Sequence, residues 1–349
     1  MQIGFNNPLS RGIKLNLFIL GFLYFLAIFA DFLCPLSPLE SPPIKVSYSP
    51  PIKLKWSIDK GLYFHPFKSK IDKNTLQKSF LEDTSKTCLV GFFAQGSSYK
   101  LFGFISMNKH LIASPNCPQS FNLLGADRLG RDFLSRLIHG LRPALFSGLL
   151  GILISFPLGI IYGAIAGYKG QTLGESMMRL VEVILSFPTL YLLIVMAALL
   201  PAGLGSMQRL LLITAILSLI GWAGLARVVR GQVLSVSKRE YVQAAILNGQ
   251  SEFNILLREV IPQLSTYLII AATLSFPSFI LGETSLSFLG LGINQPDASL
   301  GNILAESREL TNLFLRPWLA ICPSLVIVLL TWCCNSLGDQ LRDVFDPKS

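Results

Sequence analysis

Few residues of this chain could do chemistry, and they gather into short polar blocks. His65, His110 and His139 share no metal-ligand spacing. No Gly-x-x-x-x-Gly-Lys-Ser/Thr phosphate loop and no His-Glu-x-x-His helix occurs. The chain is therefore not expected to hydrolyse ATP, to hold a metal or to bind a cofactor. Cys88 and Cys117 share one polar segment, and a disulfide between them stays open, because sequence does not show that the two meet. Cys34, Cys322, Cys333 and Cys334 lie in or beside apolar runs, where packing is their ordinary use.

Three polar blocks remain. The first is Leu124-Gly125-Ala126-Asp127-Arg128-Leu129-Gly130-Arg131-Asp132, with Arg136, Gly140 and Arg142 following. Two glycines and alternating charge describe a turn leading into an interfacial helix, and Asp127, Arg131, Asp132 and Arg136 can simply pair at helical spacing. The second is Arg239-Glu240-Tyr241-Val242-Gln243-Ala244-Ala245, then Gly249 and Pro262. Glu240 to Asn248 suits a short helix that Gly249 would cap, and Pro262 would mark entry into the next apolar run. Its small residues fit either an internal connector or a surface that another protein approaches closely. The third is Ser287-Phe288-Leu289-Gly290-Leu291-Gly292, Pro296 and Gly301-Asn302, followed by an Asp/Arg-rich end from Gly338-Asp339 to Asp346-Pro347. Glu182 and Glu283 sit near the ends of apolar runs. There an ionisable group belongs either to a transport pathway, the sharper reading for Glu283, or to a paired interfacial site such as Glu182 beside Arg179.

The elements that carry these blocks are long and apolar. The 349 residues are 51% hydrophobic and 14% charged, with mean hydropathy +0.55. A soluble domain carries about 25% charged residues. Residues 143–168, 183–208, 210–226, 260–282 and 317–338 carry no charge, and 15–30 form a further apolar run after Arg11 and Lys14. A bilayer core of ~30 Å needs ~20 helical residues. Ile28 stands where a signal-peptide cleavage site wants a small residue, so the first run reads as a retained anchor over 15–35. Six spans result, and prolines 157, 188, 201, 277 and 323 in or beside them imply a bundle whose neighbours satisfy the broken backbone. With a cytoplasmic N-terminus, the inner segments hold eleven Lys/Arg against three in the short outer loops. Both termini and the 227–262 loop are thus expected inside. Residues 36–123, rich in proline and lysine, are expected outside, extended at first and then strand-forming between 54 and 115. The net charge of +9 is dispersed, without interleaved aromatics, which argues against nucleic acid as a partner.

Taken together and in order, the three blocks resemble the C-type permease subunit of dipeptide/oligopeptide ABC importers. That family's Leu-Gly-Thr-Asp-x-x-Gly-Arg-Asp, Arg-Glu-Tyr-Val-x-Ala-Ala-x-x-x-Gly, Phe-Leu-Gly-Leu-Gly and Gly-Asp-x-Leu-Arg-Asp-x-x-Asp-Pro are matched across 120–349. The departures are Ala126 for threonine, Gln243 for glutamate, Ile246 for arginine and Glu259 for histidine. The resemblance implies an all-α polytopic inner-membrane protein with six transmembrane helices. Its parts would be residues 1–35, an extracytoplasmic insert at 36–123, and a five-helix core at 124–349. It implies a second homologous permease, two ATPase subunits that use the ATP, an extracytoplasmic solute-binding protein and surrounding lipid as partners. Glu240, Tyr241, Ala244, Ala245, Gly249 and Pro262 would form the loop that couples to the ATPase. Gly125, Asp127, Gly130, Arg131 and Asp132 form the family motif before the second span. Peptides are the expected cargo. Nickel or another small solute is the alternative, and an anchored extracytoplasmic interaction protein is the competing class.

Overall fold

Long uncharged runs become long helices, because in hydrocarbon every backbone polar group must bond within its own segment. The computed structural model describes residues 8–39, 47–71, 78–101, 103–117, 121–201 and 203–345. Pro42-Pro43 and Asp346-Pro347 lie outside the described residues. Among those described, five helical stretches are long and apolar enough to cross a membrane, and a bent pair makes a sixth if it counts as one span.

The first, α1, is Pro8–Ile28, and a short α2 (Ala30–Leu33) follows it. Next comes α3, Phe133–Tyr168. Its 36 residues are about 54 Å of helix, so the expected interfacial helix and the second span are one continuous rod. Helix α6 (Ser206–Val236) extends the short 210–226 run into its polar flanks, enough for a full crossing. Helix α12 is Trp318–Phe345.

Two spans differ from expectation. The 183–208 run is not one helix. It is α4 (Gln171–Ser186) and α5 (Thr189–Ala198), bent by 81°. Pro188 lacks an N–H and pushes the preceding Phe187 into extended backbone, ψ 136. The fifth span begins before Pro262. A helical path runs from α8 (Glu252–Asn254) through a π turn (Ile255–Val260) and a 3-10 turn (Ile261–Leu264) into α9 (Ser265–Phe288). The missing proline N–H is absorbed by re-registering the ladder rather than by starting a helix there.

The chain divides into two compact units. One comprises the described residues within 1–20, 145–286 and 330–349. Within it, close packing relies on glycine: a Cβ at Gly163 of α3 would lie 2.5 Å from the Ala226 carbonyl oxygen of α6. Helix α4 buries Met178 and Val181 against Ala166, Trp222, Ala223 and Ala226. Asn16 donates to Ser336 Oγ at 2.9 Å, tying α1 to α12.

The other unit comprises the described residues within 21–144 and 287–329. Its insert is β structure, as the short apolar stretches predicted. Strands β1 (Lys55–Ser57), β2 (Gly61–Phe64) and β5 (Cys88–Leu89) form one antiparallel sheet. Strands β3 (Phe67–Ile71) and β4 (Lys78–Glu82) form a hairpin, as do β6 (Gly91–Leu101) and β7 (Ile105–Ala113). Cys88 and Cys117 are disulfide-bonded, beside a core of Ile52, Phe64 and Phe121. Short helices α10 (Leu300–Ala305) and α11 (Leu310–Leu315) complete this unit.

Candidate functional site

The first and third blocks meet in one buried ionic cluster. Gly125 adopts φ +82, and a Cβ there would lie 2.5 Å from the Ser49 carbonyl oxygen; Gly130 adopts φ +80. These glycines let the chain fold back so that Asp127 faces inward. Asp127 Oδ1 accepts the backbone N–H groups of Leu129 (2.8 Å) and Arg131 (2.9 Å). Its Oδ2 accepts Arg131 Nε at 2.7 Å and lies 3.3 Å from Arg136 Nε. Both guanidiniums also donate to the Pro296 carbonyl at 3.1 Å. Arg136 reaches Asn302 Oδ1 at 3.4 Å, and Asn302 donates to the carbonyls of Ile293 and Asp297 while capping with Ser299.

Asp127, Arg131, Asp132 and Arg136 are all at most 1% exposed. Asp127 and Arg131 pair four residues apart, as the spacing allows, but outside any helix. Asp127 and Arg131 precede α3 in a turn and form a closed cluster that fixes where the third block lies. Asp132 is not part of that pairing: it accepts the Ser135 N–H (2.8 Å) and hydroxyl (2.5 Å). Burial pushes its carboxyl up to about 6. Glu306 goes up to about 7, through burial and then the negative charge of Asp127. A second polar clasp joins the end of α1 to α3. Arg142 donates to Ala27 O (2.7 Å) and pairs with Asp31 (2.7 Å), which also meets His139 Nε2 at 3.0 Å. Burial would raise the Asp31 carboxyl, but the hydrogen bonds from His139 and Arg142 prevail and hold it at about 2.

The second block forms the elbow. Helix α7, Glu240–Leu247, is the short helix the spacing predicted. Glu240 sits in its first turn, where a negative charge is favoured. Gly249, at φ +72, ends the helix: its N–H bonds Ile246 O (3.0 Å) and the Gln250 N–H bonds Ala245 O (3.2 Å). That pair of bonds is a Schellman stop. Val242 and Ala245 are buried with Val229, Val233, Val236, Ile255 and Val260. Ala245 thus packs on its own chain and is not free for another protein. Gly249 serves backbone conformation, since a Cβ there would meet nothing within 4 Å. Ala244 and Tyr241 do face outward. Beside them, Leu247 is 87% and Phe253 70% exposed, apolar groups that spacing alone did not single out. Pro262 is exposed but lies in the 3-10 turn beyond. Lys169 pairs with Glu252 at the elbow's far side.

A cavity of about 520 Å³ opens between α3, α5, α6 and α9, lined in part by Ser155, Thr189, Gly224, Tyr267, Ser275 and Ser278. None of its lining residues is charged. Glu283 does not line it: this glutamate is fully buried one residue past Gly282, with Thr284 Oγ1 at 3.5 Å from its carboxylate. Glu182 is exposed on α4, and no ion pair to Arg179 forms among the described residues. Isolated serines inside apolar runs carry no spacing signal, which is why the cavity was invisible in the sequence.

Residues 159–349 match the family described as "Binding-protein-dependent transport system inner membrane component". The chain is 37% identical to the oligopeptide transport system permease protein OppC of Haemophilus influenzae, over 71% of this chain and 77% of that one. It is 40% identical to the dipeptide transport system permease protein DppC of Bacillus subtilis, over 66% of this chain and 70% of that one. A solved inward-facing structure of the MetNI methionine ABC transporter superposes with TM-score 0.45 at 20% identity, covering 60% of this chain and 97% of that one. By the match to more than half of its length and by its identity to these relatives, the chain belongs to the family of binding-protein-dependent transport system inner membrane components, as a multi-pass membrane permease.

Proposed function

We propose that the chain is the permease subunit of a peptide ABC importer and forms one wall of its transmembrane pathway. The observation that carries this is that relatives at 34–40% identity are oligopeptide and dipeptide permeases. A second, homologous permease would supply the opposite wall. Two ATPase subunits would bind and hydrolyse ATP, and a solute-binding protein would deliver the peptide from outside. No cofactor is assigned to this chain. Both termini and the elbow would face the cytoplasm, and the disulfide-bonded insert the extracytoplasmic side, where a disulfide persists.

The elbow suits a coupling role. Its inner face is locked into the core of α6, so force applied to α7 would pass directly to a span. Its outer face offers Tyr241, Ala244, Leu247 and Phe253, an apolar patch unusual for a polar loop. A buried apolar anchor ringed by polar residues is what a protein interface uses.

The test is peptide uptake in cells carrying Leu247→Glu. The side chain is almost wholly exposed, so insertion and membrane content should stay normal while uptake is lost. Normal uptake at normal content would argue against coupling at this surface.

A further inference from the structure

The cavity gathers several hydroxyls that the chain itself does not use. Several hydroxyls elsewhere in the spans bond back to a carbonyl of their own helix. Thr214 donates to Leu210 O (2.8 Å), Ser218 to Thr214 O (2.7 Å) and Thr273 to Ile269 O (3.0 Å). That is the usual way to satisfy such a group away from water. Ser155, Thr189, Tyr267, Ser275 and Ser278 line the cavity, and none of their hydroxyls has a hydrogen-bond partner within the chain among the described residues. Ser155 is only 2% exposed, so its unmet hydroxyl is held at the cavity wall by packing.

A second observation points the same way. Gly224 lies inside the 31-residue α6 and lines the cavity. Gly282, which also lines the cavity, has a packing reason, because a Cβ there would lie 2.5 Å from Leu217 Cδ2. Gly224 has none: a Cβ would meet nothing within 4 Å. Its effect is to leave the cavity wall open. The volume, about 520 Å³, falls among ligand clefts of ~300–1,000 Å³.

We propose that this cavity is the chain's contact site for the main chain of the cargo: its free hydroxyls hydrogen-bond peptide amides, and its uncharged wall leaves side-chain charge unread. The inference rests on the peptide-importer reading above. Each hydroxyl can donate once and accept twice. Each peptide group offers one N–H and one C=O whatever its side chain. The two sets are neutral and complementary. A charged wall would instead discriminate between peptides of opposite charge across a medium that screens little.

The test uses the complete importer, permease pair with ATPases and binding protein, reconstituted in liposomes. Uptake is measured for three tripeptides of net charge −1, 0 and +1. The combined variant Ser155→Ala, Ser275→Ala, Ser278→Ala should slow all three by a similar factor, about tenfold or more. Gly224→Leu, which fills the cavity without adding a polar group, should also slow all three. Ser278→Asp should separate them, with uptake of the anionic peptide falling at least about tenfold further than that of the cationic one. Recovery of the partner subunits with each variant shows that the complex is intact. Wild-type uptake in the triple variant, or no charge discrimination in Ser278→Asp, overturns the cavity assignment while the peptide reading stands. A wild-type importer that moves none of the three peptides overturns both.

Discussion

Asp127 holds two guanidiniums in a site closed to water, and that arrangement sets what each residue can tolerate. Buried ion pairs of this kind contribute little net stability when intact but are destabilising when halved. Arg131→Ala leaves Asp127 short of one partner and should lower stability by about 3–5 kcal/mol. Thermal unfolding in detergent would show it, and a shift no larger than that of an exposed substitution would mean the cluster is not closed. Glu306 gives a pH signature. Its carboxyl, raised from 4.5 to about 7 in the fold, binds a proton more tightly folded than unfolded. The folded state therefore loses stability as pH rises from about 4.5 to about 7. Glu306→Gln removes that dependence, so its melting-temperature advantage over wild type should grow through this window and then level off. A constant difference from pH 4 to 8 would contradict the raised proton affinity of Glu306. The motif residues themselves were legible in the sequence. Their burial was not, because Pro296 and Asn302 complete the cluster from more than 150 positions away.

At the scale of elements, α7 was legible almost to the residue. A helix from Glu240, ended by Gly249, follows from propensity and capping chemistry. Which of its faces is used was not legible, since two adjacent alanines look alike in a sequence. The structure separates them, and the two faces predict different failures. Ala245→Glu places a charge in the cluster of Val229, Val233 and Val260 and should reduce the amount of folded protein in the membrane. Leu247→Glu should leave that amount unchanged and abolish uptake. If both variants lose folded protein alike, the outward face also packs on something within the chain. The bend at Pro188 marks another limit. The uncharged run of 183–208 satisfied every length criterion for a span, and its proline was visible. Whether neighbours tolerate a kink or the helix breaks outright depends on packing that no local pattern encodes.

For the whole molecule, the count of long apolar stretches, the insert between the first two spans and the order of the polar blocks were all readable from the chain. Charge depletion and the lengths a bilayer imposes leave few alternatives. The neutral cavity was not readable, because it is assembled from single hydroxyls and glycines on four separate helices. Orientation is a prediction at this scale too. A cysteine-specific, membrane-impermeant label applied to intact cells should modify Ile58→Cys in the insert, where the native side chain is 88% exposed, and should spare Leu247→Cys in the elbow. The reverse pattern would invert the topology. The first measurement to make is isolation of the tagged chain from its native membrane, with mass spectrometry of what accompanies it. It should emerge with a second permease, ATPase subunits and a solute-binding protein. Recovery alone, or with envelope proteins and no ATPase, would contradict an importer and leave a membrane-anchored interaction protein in its place.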